Sequence, residues 1–385
     1  MDFELPEEFR QLQRLVERFV EDQLIPLEPA YLAREARGEP AGLAGEELEN
    51  VLTACRDMGL WGLESPEEYG GSNLPAIAMV GVNEAMGYSA VSFYLPPDSP
   101  NLHMLLEATN EDQKQRYLDP YARGDAIVAM AISEPGAGAD PAAMMTRAVR
   151  DGDDWVINGR KIWVSRADEA DFTILMAVTE PGKGNAGISA FIVDRGTPGY
   201  TVEREIPMIG AHRTFEIAID DCRLPVAQML GEPGRGFAPM QLRLTVRRLQ
   251  MGAWCVGKAR RALDIMKDYM RQRETHGSPL TERQALQWWI ADAETRIHAC
   301  RLMLQHAAWK VDRGEDVRTE ASMVKVYGTE MATDVIDQAM QACGALGMTK
   351  ELPLALMAQQ VRTMRIYEGP SEVHRMVIAR RSLRD

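Results

Sequence analysis

No hydrophobic run in this chain approaches the roughly 18 residues that an apolar helix needs to cross a bilayer, so no membrane span is expected. Basic charge is also in short supply. Only 43 lysines and arginines face 57 acidic residues, a net charge of −14. That balance argues against a nucleic-acid surface as the main function, while leaving room for a local basic pocket. Cysteines are few: Cys55, Cys222, Cys255, Cys300 and Cys343, scattered and without a Cys-x-x-Cys pair. They read as reduced thiols of a cytoplasmic protein rather than a disulfide framework. The six histidines show no metal-ligand spacing, so no metal is expected. The opening Met1-Asp2-Phe3-Glu4 is acidic and lacks the features of a signal or transit peptide. Repeats and low-complexity tracts are absent. What is present is ordinary globular composition, 45% hydrophobic and 26% charged, in 385 residues, too long for one simple domain.

Periodicity divides the chain into three. Residues 1–122 read as helical, with Leu5, Leu12, Leu15 and Phe19 at helical spacing before Pro26. Residues 28–45 read as a polar connection, and Ser65 to Gly71 as a turn. Residues 123–236 carry short β-rich runs at Ala126–Ile132, Trp155–Ile157, Lys161–Val164, Phe172–Val178, Ile188–Val193 and Phe215–Ile219. These suggest a compact antiparallel barrel or sandwich. Residues 237–385 turn helical again, with Val256, Ala259, Leu263, Met266 and Met270 forming a long apolar stripe. The expected class is α+β. The 23 methionines fit adaptable helix packing.

Three segments carry chemistry. Near the C-terminus, Ile366-Tyr367-Glu368-Gly369-Pro370 places a carboxylate at a corner behind an apolar-aromatic pair. Burial there would raise its pKa towards that of a working general base, against the plainer reading of a solvated turn. Next, Met130 to Asp140 runs from a β-like stretch into small residues with one hydroxyl, Ser133, where backbone can approach a flat or anionic ligand. Finally, Asn158-Gly159 between β-rich runs reads as a hairpin turn, after which Trp163 and Ser165 share a face and could frame a planar cofactor. A plain turn and a plain hairpin are the simpler alternatives.

Two motifs mislead. Gly182-x-Gly-x-x-Gly187 lies between two strand-like runs, so it reads as a hairpin loop rather than a dinucleotide cradle. Ser322-x-x-Lys325 has no companion of a serine acylase and reads as a helix surface.

Taken together in order and spacing, the segments resemble the acyl-CoA dehydrogenase family over nearly the whole chain. Ser133 to Asp140 follows its Thr/Ser-Glu-Pro-x-Ala-Gly-Ser-Asp pattern with Ala139 for Ser. Asn158 to Ser165 follows Asn-Gly-x-Lys-x-Trp-Ile-Thr, and Tyr367 onward follows Tyr-Glu-Gly-Thr-x-x-Ile-x-Arg with Pro370 for Thr. Gln341 to Gly347 resembles Gln-x-x-Gly-Gly-x-Gly, and Arg273 to Leu280 resembles Arg-x-x-Phe-Gly-x-Pro-Leu with His276 for Phe. Gly369 to His374, with Pro97-Asp98-Ser99-Pro100-Asn101, is similar to a branch that reads Asp-Gly-Pro-Asp-Glu-Val-His and prefers atypical acyl chains.

The resemblance implies an N-terminal helical domain, a central antiparallel β-barrel and a C-terminal four-helix bundle. It implies FAD as cofactor and conversion of an acyl-CoA thioester to its trans-2-enoyl product. Glu368 would take the α proton, with hydrogen bonds from its own amide and a ribityl hydroxyl at the thioester carbonyl. Met130, Ile132, Ser133, Gly138 and Ala139 would line the flavin, with Trp163 over a ring face, Ser165 at N5, and Pro370 and Glu372 nearby. Arg273, Gln284, Gln341, Gly344 and Ala345 would hold the diphosphate and adenine of a neighbouring subunit's FAD, which requires a homotetramer or dimer. Ala139, Thr245, Arg248, Tyr367 and Gly369 would meet the substrate, although Thr245 stands where many members have Asp. Electrons would leave through an electron-transferring flavoprotein, in fatty acid β-oxidation. The alternatives on this scaffold are a flavin oxidase, monooxygenase or desulfinase, and a non-catalytic FAD-binding assembly protein.

Overall fold

The protein's structure, a computed structural model, describes residues 5–40 and 42–384. The acidic start at Met1–Glu4 lies outside the described residues. Helix α1, Glu7–Phe19, buries Val16 and Phe19. A π-turn and a 3-10 turn carry the chain past Pro26 into α2, Glu28–Ala36. Residues 28–45 are therefore not a mere connection. Tyr31 and Leu32 anchor α2, and the buried Glu28 carboxylate accepts from Ser89 Oγ (3.1 Å) and the Ala90 amide (2.8 Å). Polar composition hid a helix whose charged residue faces inward, where these bonds satisfy it. Helices α3 (Gly45–Asp57), α4 (Ala76–Met86) and α5 (Ser99–Ala108) follow, then the short α6 (Glu111–Gln113) and α7 (Asp119–Arg123).

The central segment is an eight-stranded sheet: β1 Val128–Ala131, β2 Arg147–Asp151, β3 Asp154–Val164, β4 Phe172–Val178, β5 Ile188–Asp194, β6 Tyr200–Pro207, β7 Arg213–Pro225 and β8 Met229–Leu230. It runs β6-β7-β3-β2-β4-β5-β8, with β1 parallel to β4 off this path. The expected antiparallel barrel is thus corrected to an open, mixed sheet. Its edge strand β6 presents exposed Glu203, Arg204 and Glu205, and charge on an edge disfavours further strand pairing. The expected hairpin at Asn158-Gly159 is also corrected. Trp155–Ile157 and Lys161–Val164 are one strand, β3, and the tight turn lies at Gly152-Asp153. Asn158-Gly159 instead forms an irregularity opposite β7, where Asn158 Oδ1 accepts from the Asp221 amide at 2.8 Å. Residues 182–187 do join antiparallel β4 and β5 as a loop.

Helix α8, Phe237–Gln272, leads the last segment, and all five residues of the expected stripe are buried. After a small hairpin, β9 Glu274–Thr275 with β10 Ser278–Pro279, come α9 (Gln284–Asp312), α10 (Arg318–Cys343), α11 (Leu354–Met364) and α12 (Ser371–Ser382). One apolar cluster runs from Val16 and Phe19 through Met86 and Trp254 to Val361 and Met364. The first and last helical segments therefore share a core. All five cysteines are buried and unpaired.

Candidate active site

Glu368 sits between α11 and α12 with a positive φ of 57°, followed by Gly369 at 95°. A left-handed glutamate is strained and needs support. The support comes from three sides. Arg248 Nε donates to the Glu368 carbonyl at 3.1 Å. His374 Nε2 donates to the same oxygen at 3.1 Å, and its Nδ1 lies 3.0 Å from Ser322 Oγ. Lys325 Nζ donates to the Gly369 carbonyl at 2.6 Å. A Cβ on Gly369 would stand 3.0 Å from His374 Nε2, so glycine is required there for space as well as for φ. Pro370 then caps α12 with φ −65°, and Glu372 is exposed in its first turn. Ser322 and Lys325 are therefore buried, not a helix surface, and their i, i+3 spacing on α10 serves this corner.

The carboxylate lies in a row of guanidiniums. Arg243 Nη1 reaches Glu368 Oε1 at 3.2 Å and Oε2 at 3.3 Å, while its Nε donates to Asn101 Oδ1 at 2.9 Å. Arg247 pairs with Asp98 and Gln250 and packs against the Tyr94 and Trp254 rings. Burial pushes the Glu368 pKa up, but Arg243, Arg247 and Arg248 outweigh it, so the carboxyl is held below its ordinary value. The expectation of a raised pKa is thus reversed. Sequence reading missed Arg243 and Arg247, whose i, i+4 spacing on a helix with buried stripes was the available signal. Burial, with Arg248 and Lys325 nearby, lowers the His374 pKa to about 3, so that ring is neutral.

The second wall comes from the sheet. The Ile162 amide donates to the Ser133 carbonyl at 2.9 Å, binding the 133–140 loop to the end of β3. Beneath, Lys161 Nζ donates to Ile132 O and Glu134 Oε1, both at 2.9 Å, and Glu134 accepts from the Met145 and Thr146 amides. This buried pair fixes the loop's entry and exit. Met130, Ile132 and Ser133 are half-buried, while Gly138 and Ala139 are exposed. Trp163 is 50% exposed, and Ser165 is exposed just past β3. Trp163 reaches that position through a φ of 62° at a register shift rather than by simple alternation. Val164 pairs with Phe215, and three residues earlier the His212 ring meets Tyr367 edge-on at 6.3 Å. The end of β3 is thereby linked through β7 to Tyr367, the neighbour of Glu368.

These residues suit a large planar cofactor. A Cβ at Gly136 or Gly138 would meet nothing within 4 Å, and the Trp163 indole lies open beside that loop. The diphosphate candidates lie elsewhere. Arg273 is exposed at the far end of α8, roughly 37 Å from Arg248 at 1.5 Å per residue. Gln341 is exposed roughly 24 Å beyond Lys325 along α10, with Gly344 and Ala345 exposed after it, and Gln284 is exposed at the start of α9. The structure does not bring them to Glu368 of the same chain. Thr245 lines a cavity of about 980 Å3 beside α8, lined also by His103, Asn185, Arg235 and Arg318.

Comparison with known proteins agrees along the whole chain. The family model "Acyl-CoA dehydrogenase, N-terminal domain" matches residues 6–125, the middle-domain model 129–222 and the C-terminal-domain model 234–383. (R)-benzylsuccinyl-CoA dehydrogenase of Thauera aromatica is 41% identical over 398 residues, spanning 100% of this chain and 98% of the relative. Butyryl-CoA dehydrogenase from Megasphaera elsdenii superposes with a TM-score of 0.89 at 29% identity, covering 100% of both chains. The FAD complex of PigA superposes with a TM-score of 0.89 at 28% identity, again over 100% of both.

Proposed function

The chain belongs to the acyl-CoA dehydrogenase family and takes FAD as its cofactor, and from that premise we propose that Glu368 is the base that removes the α proton of an acyl-CoA thioester on its way to the trans-2-enoyl product. Bound FAD supplies the acceptor for the β hydride. The observation that carries the reading is the Glu368 corner itself. A strained, left-handed carboxylate is clamped through its own carbonyl by Arg248 and His374 and stays ionised beside three arginines. An ionised, fixed carboxylate is ready to accept a proton without first losing one.

The remaining residues divide the work. Arg248, His374 and Lys325 hold the corner, and hence the direction of the carboxylate. Met130 to Ala139, Trp163 and Ser165 would hold the flavin, with the Glu134–Lys161 pair as their buried footing. Arg273, Gln284, Gln341, Gly344 and Ala345 would hold the diphosphate and adenine from a neighbouring subunit. Thr245, with Arg235 and Arg318, would receive the CoA arm in the large cavity, whose size is at the upper end of that of ligand sites. An electron-transferring flavoprotein is the acceptor we propose for the reduced enzyme.

The test is Glu368→Gln. The variant is expected to purify yellow with FAD and to lose flavin bleaching under acyl-CoA by a factor of roughly 10²–10⁴, the scale of a general base. Normal bleaching by E368Q would end the assignment.

A further inference from the structure

The charges around Glu368 do not balance. Arg243, Arg247, Arg248 and Lys325 converge there, each no more than 9% exposed, against the carboxylates of Glu368 and Asp98, with only the exposed Glu372 besides them facing Lys325. Arg247 is matched by Asp98. Arg248 and Lys325 meet only backbone carbonyls at this corner. Arg243 is shared between Glu368 and the neutral Asn101. A buried positive charge without a counter-ion is costly, and arginine's fork is shaped for a carboxylate. The Arg243–Glu368 pair also poses a problem for chemistry. A base engaged by a guanidinium must shed that contact before it can take a carbon-bound proton. An incoming anion that takes over Arg243 meets both needs.

Resting on the reading of Glu368 as the base, we propose that Arg243 and Arg247 form a subsite for a second carboxylate on the acyl chain, so that the preferred substrates are monothioesters of short dicarboxylic acids. Arg243 contacts both oxygens of the base, so only an anion within a few bonds of the reacting carbons reaches it. Asp98 and Gln250, the partners of Arg247, also line a small cavity of about 20 Å3. When the substrate carboxylate binds, Arg243 turns from Glu368 to it, and the base is released next to its target. The α proton then goes to Glu368, the β hydride goes to FAD, the carbon–carbon double bond forms, and the second carboxylate passes through unchanged.

The test compares two ligands of the same length on the native FAD enzyme: glutaryl-CoA and its neutral methyl ester. Anaerobic bleaching and kcat/KM with a dye acceptor are read for both, with butyryl-CoA alongside. The subsite predicts kcat/KM at least about 10-fold higher for glutaryl-CoA than for the ester, the scale of one charge-assisted hydrogen bond. In Arg243→Gln the two should fall within about 3-fold of each other, because the loss is specific to the charged ligand. Equal or better turnover of the ester or of butyryl-CoA by the native enzyme overturns the subsite and leaves the dehydrogenase reading standing. A yellow enzyme that bleaches with none of the thioesters overturns both. Should R243Q fail to fold, the ligand pair on the native enzyme decides alone.

Discussion

At the scale of single residues, His374 offers the cleanest check of the clamp. Its ring is neutral in the fold with a pKa near 3, whereas in the unfolded chain it titrates near 6.5. The groups facing it are Arg248, Lys325, Ser322 and the Glu368 carbonyl. Below pH 6.5 the unfolded state therefore binds more protons. The contribution of this site to stability is complete above 6.5 and is lost as pH falls towards 3. His374→Gln removes that dependence. Between pH 7 and pH 5 the native protein should lose about 2 kcal/mol more stability than H374Q, measured by denaturant unfolding at both pH values. Parallel losses in the two proteins would mean that the ring is not held neutral. The carboxylate at this corner was legible from Tyr367-Glu368-Gly369-Pro370 alone, because an acid before glycine and proline marks a turn. The guanidinium row was not. An arginine on a helix normally faces water, and only the folded neighbours reveal that Arg243 and Arg247 do not.

At the scale of elements, α8 decides the site, since it carries Arg243, Arg247, Arg248 and Thr245 on different sides of one cylinder. Its placement depends on a close crossing with α4. A Cβ on Gly257 would stand 2.1 Å from the Glu84 carbonyl oxygen and 2.7 Å from Gly87 C. These are backbone atoms and cannot step aside. Gly257→Ala should therefore destabilise the fold by about 1–3 kcal/mol and lower the thermal midpoint, as overpacking does. A midpoint equal to that of the native protein would show that the helices are free to separate. The buried face of α8 was readable from its period of three to four, as was the run Phe172–Val178, which forms a strand with those bounds. Strands β2 and β6 escaped notice because Arg147-Ala-Val-Arg-Asp and Tyr200-Thr-Val-Glu-Arg-Glu are largely exposed. Exposed strands carry charge instead of the apolar alternation that announces a half-buried one. Asn158-Gly159 misled for the opposite reason. Its turn chemistry is genuine, but pairing with β7 on one side and a bond to Asp221 kept the strand running through it.

At the scale of the molecule, the α–β–α order was legible because hydrophobic period changes twice along the chain, near residues 123 and 236. That the outer segments share one core was not, since no periodicity reports which distant stripes meet. The same limit applies to the cofactor site, and it leads to an expectation about assembly. The residues proposed for the flavin ring connect through β7 to the Glu368 corner, whereas Arg273 stands roughly 37 Å from Arg248 along a rigid helix. A helix core packed at Gly252 and Gly257 cannot fold back to bring Arg273 home. For both groups to serve FAD, Arg273 must serve the flavin of a second copy. FAD affinity and self-association are then linked, each strengthening the other. Diluting the yellow protein until light scattering reports monomer should release FAD, seen as a rise in flavin fluorescence. Arg273→Glu should bring that release to higher protein concentration, because it sets a negative charge against a diphosphate. A monomer that keeps stoichiometric FAD would show that one chain completes the site, and would assign Arg273 to the surface it occupies.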